Sequence, residues 1–193
     1  MLRRLYDWTL ARAAGPGAEK WLMGISFADS SFFPIPPDVM QIPMSIARPE
    51  NSLRYAALST IASVAGALLG YAIGALLFQA IGVPLLQLYG YEEKFMTFAA
   101  SIKQQGFLWM LAFAFLPIPY KVATIAAGSV GLGLPVLLAA SLLGRGGRFF
   151  LVALVLRRYG AAAQALIDKY FHSLALVAMG LFVGGFVVVK YAL

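Results

Sequence analysis

The chain has 193 residues, of which 61% are hydrophobic and 12% charged, and its fifteen Lys and Arg outnumber eight Asp and Glu for a formal charge of +7. That leaves too little polar surface to cover a globule in water, so the composition is that of an integral membrane protein. No cysteine is present, which excludes disulfides, Cys-ligated metals and thiol nucleophiles. The basic residues stand singly or in pairs at segment edges, the pattern of topology determinants and lipid-headgroup contacts rather than of a nucleic-acid-binding patch.

In chain order, residues 1–17 interleave Leu2, Leu5, Tyr6, Trp8 and Leu10 with Arg3, Arg4, Asp7 and Arg12 and end at Gly15-Pro16-Gly17. They read as an interfacial helix, without the apolar core of a cleaved signal peptide. Residues 21–47 are long enough to enter a bilayer but are broken by Pro34-Ile35-Pro36-Pro37-Asp38-Val39. Residues 55–81 are uncharged and exceed the about 20 apolar residues that a spanning helix needs. On that span Ala62, Gly66, Gly70 and Gly74 recur every four residues, a smooth stripe for close packing against a hairpin or, in a homodimer, a second copy.

Residues 82–105, with Glu92, Glu93, Lys94 and Lys103, read as an extramembrane amphipathic connection. A second broken apolar segment, 107–130, carries Pro117-Ile118-Pro119-Tyr120-Lys121-Val122, and a second span, 132–156, is apolar apart from Arg145 and Arg148. The sole histidine, His172, precedes a third apolar run, 173–189, and reads as an interfacial bystander.

The two proline motifs match at Pro, Ile, Pro and Val, while Asp38 aligns with Lys121. Prolines two apart stop a helix, because each lacks an N–H and clashes with the preceding turn. Each broken segment therefore reads as a re-entrant helical hairpin, tolerated at membrane depth only where protein covers it. Basic residues orient the chain: Arg3, Arg4, Arg12, Lys20, Arg48 and Arg54 cytoplasmic, the 82–105 connection outside, and Arg157, Arg158 and Lys169 cytoplasmic again. The expected fold is an all-α integral membrane protein with an inverted repeat of hairpin plus transmembrane helix. The repeats are 18–81 and 106–157, inside a membrane domain of 18–160, with an extra C-terminal transmembrane helix in 161–193. Its binding site is expected near the midplane, where the broken segments meet.

Gly144-Arg145-Gly146-Gly147-Arg148 falls at the centre of the second span. An arginine there costs about 2.5 to 3.5 kcal/mol even on insertion scales, so both need partners or water. Their spacing places both guanidiniums on one helix face. A polar loop at this point would leave 134–143 and 149–156 too short to span, and the motif lacks the Gly-Lys-Ser/Thr of a phosphate-binding loop. Asp29, Asp38 and Lys121 flank the proline breaks. Brought together, these five side chains carry a net charge of plus one, and a helix starting after Pro37 adds N-terminal amides, so the cavity suits a phosphate or carboxylate. Pro34, Pro36, Pro37, Pro117 and Pro119 would shape the gates. The bland alternative is that the charges only pair to hold the hairpins down.

Asp29, Pro34-Ile35-Pro36-Pro37-Asp38, Phe115-Leu116-Pro117-Ile118-Pro119-Tyr120-Lys121, Ala127-Gly128 and Gly144-Arg145 to Arg148-Phe149-Phe150 together resemble the DedA or VTT-domain membrane family, most closely its YqaA-type branch. The likeness covers roughly residues 20–160. It implies two opposed re-entrant hairpins and lipid movement across the bilayer: flipping of undecaprenyl phosphate in bacterial members, scrambling of phospholipid in eukaryotic relatives, with dependence on the proton gradient. Asp29 matches the first acidic position, where Glu is commoner; Asp38 matches the second and Lys121 the basic residue closing the second motif. Many members carry a further arginine before that motif, where this chain has Ala112 and Ala114.

The expected function is a flippase or transporter of an anionic lipid in a bacterial cytoplasmic membrane, multi-pass, without cofactor, metal or catalytic residue. Lys121, Arg145 and Arg148 would hold the lipid phosphate; Asp29 and Asp38 would be counter-charges or proton acceptors. The rivals are an intramembrane lipid-phosphate enzyme, disfavoured because no nucleophile or metal-ligand cluster joins the charged set, and a non-transporting membrane scaffold.

Overall fold

The computed structural model describes residues 15, 17–32, 36–115, 119–160 and 162. The interfacial segment up to residue 14, Pro34, Pro117, His172 and the run 173–189 lie outside these residues. Among the described residues every regular element is helical.

Helix α1, Ala18–Ser31, and helix α2, Asp38–Ala47, flank the first proline break. They share one apolar cluster, in which Ala18 and Leu22 of α1 pack with Met40 and Met44 of α2 and with Tyr55. The two helices that flank the break thus pack on one another. A 3₁₀ turn, Pro49–Asn51, leads into α3, Ser52–Leu77, which ends in a π-helical turn, Phe78–Gly82. A short α4, Val83–Tyr89, closes on Gly90, whose φ of 68° allows the Tyr91 amide to reach back to the Leu86 carbonyl at 2.9 Å.

Helix α5, Glu92–Phe115, bends at Gln105, where φ and ψ are −126° and 41°, one residue before Gly106. After the second break, α6, Tyr120–Ser129, doubles back: Met110, Phe113 and Ala114 of α5 share a core with Tyr120, Ala123 and Ala127 of α6. Gly131, at φ 66°, ends α6, and Leu132 donates to the Ala127 carbonyl. Pro135 then stands near the start of α7, Leu134–Gly160, a position where its missing N–H costs nothing.

The 82–105 segment is amphipathic, as expected, with Glu93 and Lys103 exposed and an apolar face turned into the fold. Its second half belongs to α5, and Phe98, Ala99 and Ile102 are buried. Phe98 packs edge-on to Trp109 and beside Phe113, and Phe95 stacks on Phe78. The reason is spacing: Phe95, Phe98 and Ile102 recur at three and four residues, so one face is apolar while Glu93 and Lys103 point elsewhere. An apolar groove of about 510 Å³, lined by Ile73, Phe78, Leu86, Phe95 and Ile125 among others, lies beside the π turn.

Polar and apolar surfaces are distributed as a membrane requires. Stretches 49–82 and 134–160 are long and apolar enough to cross a bilayer, and in their most apolar windows only 39% and 44% of residues are buried, too few for core helices of a soluble protein. Ile61, Leu76, Leu143 and Leu154 are all more than half exposed, whereas Ser30, Gln41, Ser63, Thr124 and Arg145 are inside. Water would favour the reverse; a bilayer favours this.

The glycine stripe lets both α1 and α6 approach α3 closely. A Cβ on Gly66 would strike the backbone of Phe27 in α1; on Gly74, the backbone of Ile125 in α6; and on Gly128, the backbone of Tyr71 in α3. Gly66→Ala and Gly74→Ala should each destabilise the detergent-solubilised protein, by about 1–3 kcal/mol, because rigid backbone must shift. Gly24→Ala, on α1 with nothing within 4 Å of a new Cβ, should be neutral or stabilising by up to about 1 kcal/mol. Unchanged melting of Gly74→Ala would contradict the close crossing of α3 and α6.

Candidate functional site

Helix α7 is unbroken through Gly144 to Arg148, which removes the polar-loop alternative and holds both arginines within one long helix. Gly144 lies against Ala114 and the Leu111 carbonyl of α5, and Gly146 faces Thr60 of α3. The small residues thus let α7 sit close enough for its arginines to reach across the fold.

Arg145 is 2% exposed. Its Nε–H donates to Ser63 Oγ of α3 at 2.9 Å, and a terminal nitrogen donates to the Asp29 carboxylate of α1. Ser63 Oγ is in turn 2.6 Å from Ser30 Oγ. The guanidinium carbon lies 4.9 Å from the Phe149 ring centroid and 5.6 Å from that of Tyr120, both within cation–π range. Tyr120 is fixed at its other end: Ser141 gives its proton to the Leu137 carbonyl, so the Tyr120 hydroxyl, 2.6 Å from Ser141 Oγ, is the donor of that pair. Arg145 therefore has a carboxylate, a hydroxyl and two aromatic faces around it, which is what a guanidinium needs to stay charged out of water.

Arg148, one turn on, is more open at 23% exposure and pairs with the Asp38 carboxylate. Beside it Gln41 Nε2 donates to the Phe149 carbonyl at 2.8 Å, a second tie between α2 and α7. The amides of Val39 and Met40 are taken by the carbonyls of Pro36 and Pro37. The donors expected at the start of α2 are therefore partly engaged, and what remains is the dipole at Asp38.

Lys121, at the start of α6, is partly buried and feels the charge of Asp29 without forming an ion pair among the described residues. Asp38 and Lys121, which align between the two proline motifs, both stand at this cluster, and the ion-pair partner of Asp38 is Arg148. Thr124 Oγ1 bonds the Lys121 carbonyl at 3.0 Å and reaches the Ser30 carbonyl at 3.3 Å, joining α6 to α1. Pro37 precedes α2 and is buried; Pro36 is exposed; Pro119 precedes α6.

The structure thus brings Asp29, Asp38, Arg145, Arg148 and Lys121 into one cluster, with three cations against two carboxylates. Ser30, Ser63, Thr124 and Gln41 complete it without having been singled out from the sequence, together with Tyr120 and Phe149, which stood in the motifs without a role assigned to them. A signal was available for the first two and for Gln41, since a lone polar side chain in an apolar helix faces inward. Nothing in the sequence tells which aromatic residues cover a guanidinium.

The VTT domain family model matches residues 32–158, which takes in α2 to α7 and both proline motifs from Phe33 onward. An uncharacterized protein of Haemophilus influenzae is 36% identical over 149 residues, 77% of each chain. An uncharacterized protein of Histophilus somni, described as an HI0703 homolog, is 35% identical over 148 residues, again 77% of each. No solved structure matches. With a family model covering most of its length, and relatives at this identity, the chain belongs to the VTT domain family.

Proposed function

We propose that this chain is a lipid transporter of a bacterial cytoplasmic membrane, moving an anionic lipid such as undecaprenyl phosphate or a phospholipid between leaflets. The observation that carries the reading is the excess of cation over carboxylate in a cluster at the middle of an apolar helix: Arg145 and Arg148 face Asp29 and Asp38, and Lys121 stands beside them with no ion pair among the described residues. A phosphate supplies the missing negative charge, and the acyl or prenyl tail stays in lipid while the headgroup crosses.

In this account α1 with α2, and α5 with α6, are re-entrant hairpins entering from opposite faces, and each half is a hairpin followed by a span. Reciprocal packing supports the inverted repeat. The returning helix α6 lies on the span of the first half through Gly74 and Gly128, and the returning helix α2 lies on the span of the second half through Gln41 and Asp38.

The cations then take separate parts. Arg148 and Lys121, the more open ones, meet the phosphate first, and Arg145 holds Asp29 and with it the first hairpin. Arg148 cannot grip a phosphate with the donors it has given to Asp38. Protonation of Asp38 removes the competing charge, so proton uptake and phosphate binding favour one another, and a pH gradient can drive the exchange. A scaffold reading draws on the near-complete burial of Arg145, whose partners would serve equally well in a purely structural ion pair.

Transfer of a labelled anionic lipid between leaflets of reconstituted vesicles tests the proposal. Arg148→Ala should slow transfer at least about tenfold, the loss of about 1.4 kcal/mol of contact, with folding largely kept. Arg148→Lys should also fail, because lysine does not reproduce two-pronged phosphate contact. Retained transfer in folded Arg148→Ala removes this residue from the mechanism, headgroup turnover by the native protein indicates an enzyme, and neither transfer nor turnover indicates a scaffold. Asp38→Asn should make the residual transfer indifferent to an imposed pH gradient; a full gradient response in that variant contradicts a proton-carrying role for Asp38.

A further inference from the structure

The polar faces of α2 and α3 meet at Ser45 and Ser52. Asp38, Gln41 and Ser45 fall at i, i+3 and i+7 on α2, and Ser52, Ser59 and Ser63 at i, i+7 and i+11 on α3, so each set shares one helix face. The two helices pack together, with Ser52 Oγ donating to the Ser45 carbonyl at 3.5 Å. Gln41, Ser45, Ser52, Ser59 and Ser63 all have 0% exposure. The seam between them starts at the Asp38–Arg148 pair and the Ser63–Arg145 bond and ends at Arg48 and the Pro49–Asn51 turn.

Three atoms along this seam, Gln41 Oε1, Ser45 Oγ and Ser59 Oγ, have no hydrogen-bond partner among the described residues. That is unusual for a helical serine, which when buried ordinarily bonds the carbonyl one turn back. Ser26, Thr60 and Ser141 do so here, at 2.7, 2.7 and 2.6 Å; Ser45 and Ser59 do not. Buried polar groups are nearly always paired, with protein or with ordered water, and a water is stable where several polar groups converge on it.

We propose that the α2–α3 seam holds a buried file of water leading from the Arg48 face to Asp38 and Asp29. Water bridges Ser45, Gln41 and Ser59 and reaches a cluster whose charged members are Asp29, Asp38, Arg145, Arg148 and Lys121. The hydration stands on its own; only its use, as the route by which protons reach the carboxylates, rests on the transport reading above.

The absence of cysteine from the chain makes the test clean. Single variants Ser45→Cys, Ser59→Cys and Ser26→Cys, held in lipid nanodiscs, are exposed to silver ion, which is small enough to travel where water does and reacts with the thiolate. Ser26 is equally buried but bonds its own helix at 2.7 Å, and it reports a dry site. Both seam cysteines should react at least about tenfold faster than Ser26→Cys; a smaller ratio at either position overturns the proposal. The unaltered chain gives an independent reading, since a high-resolution experimental map should show ordered water within hydrogen-bond distance of Gln41 Oε1 and Ser59 Oγ, and continuous apolar packing there overturns it as well. Neither measurement involves lipid movement, so a failure of transport leaves their result standing.

Discussion

Two ion pairs tie α1 and α2 to α7 and organise this protein. Asp29 meets Arg145 and Asp38 meets Arg148, so the helices on either side of one proline break are each tied to the same turn of a distant helix. Charges in such surroundings are costly unless their geometry is satisfied. The rest of the centre supplies that satisfaction: Ser63, itself bonded to Ser30, takes up the Arg145 Nε–H, Phe149 and Tyr120 cover the guanidinium, and Gln41 fixes the backbone beside it. The close approaches at Gly66, Gly70, Gly74, Gly128 and Gly144 bring the helices near enough for these short reaches.

The same arrangement explains why a chain so apolar outside has so polar an interior. In lipid, apolar contact between helices gains little, because acyl chains offer the same environment. Hydrogen bonds and tight backbone contact must then specify the packing, and the buried hydroxyls of α1, α3, α6 and α7 do so. Polar contacts at the centre can be exchanged for a ligand's, which an apolar core does not permit. Structural cohesion and the proposed headgroup site therefore draw on the same side chains.

Much of this was legible in the sequence because membrane chemistry is written in coarse signals. The first span, the arginine-bearing second span and the two proline breaks follow from length, charge and the missing N–H of proline, and Asp29, Asp38 and Lys121 stood out as rare ionisable groups near those breaks. What was not legible depends on which residues meet. The match of Asp38 with Lys121 did not reveal that Asp38 reaches Arg148, which follows from α2 packing on α7 while α6 packs on α3. Glu92, Glu93, Lys94 and Lys103 marked an amphipathic connection with a solvated charged face, but not which part of the core the face of Phe95, Phe98 and Ile102 would join. The orphaned Ser45 and Ser59 hydroxyls are visible only once neighbouring serines are seen to bond their own helices.

Direct evidence on the central claim would come from a double-mutant cycle on the deepest pair, using reversible unfolding in detergent of Asp29→Asn, Arg145→Gln and the combined variant. Arg145→Gln alone leaves Asp29 without its partner and should cost about 3–5 kcal/mol. The combined variant should recover part of the loss, with a coupling energy of about 0.5–3 kcal/mol. Additive effects of the two changes would contradict the account, since they would mean that Asp29 and Arg145 stabilise the fold independently and the first hairpin is held to α7 by something else.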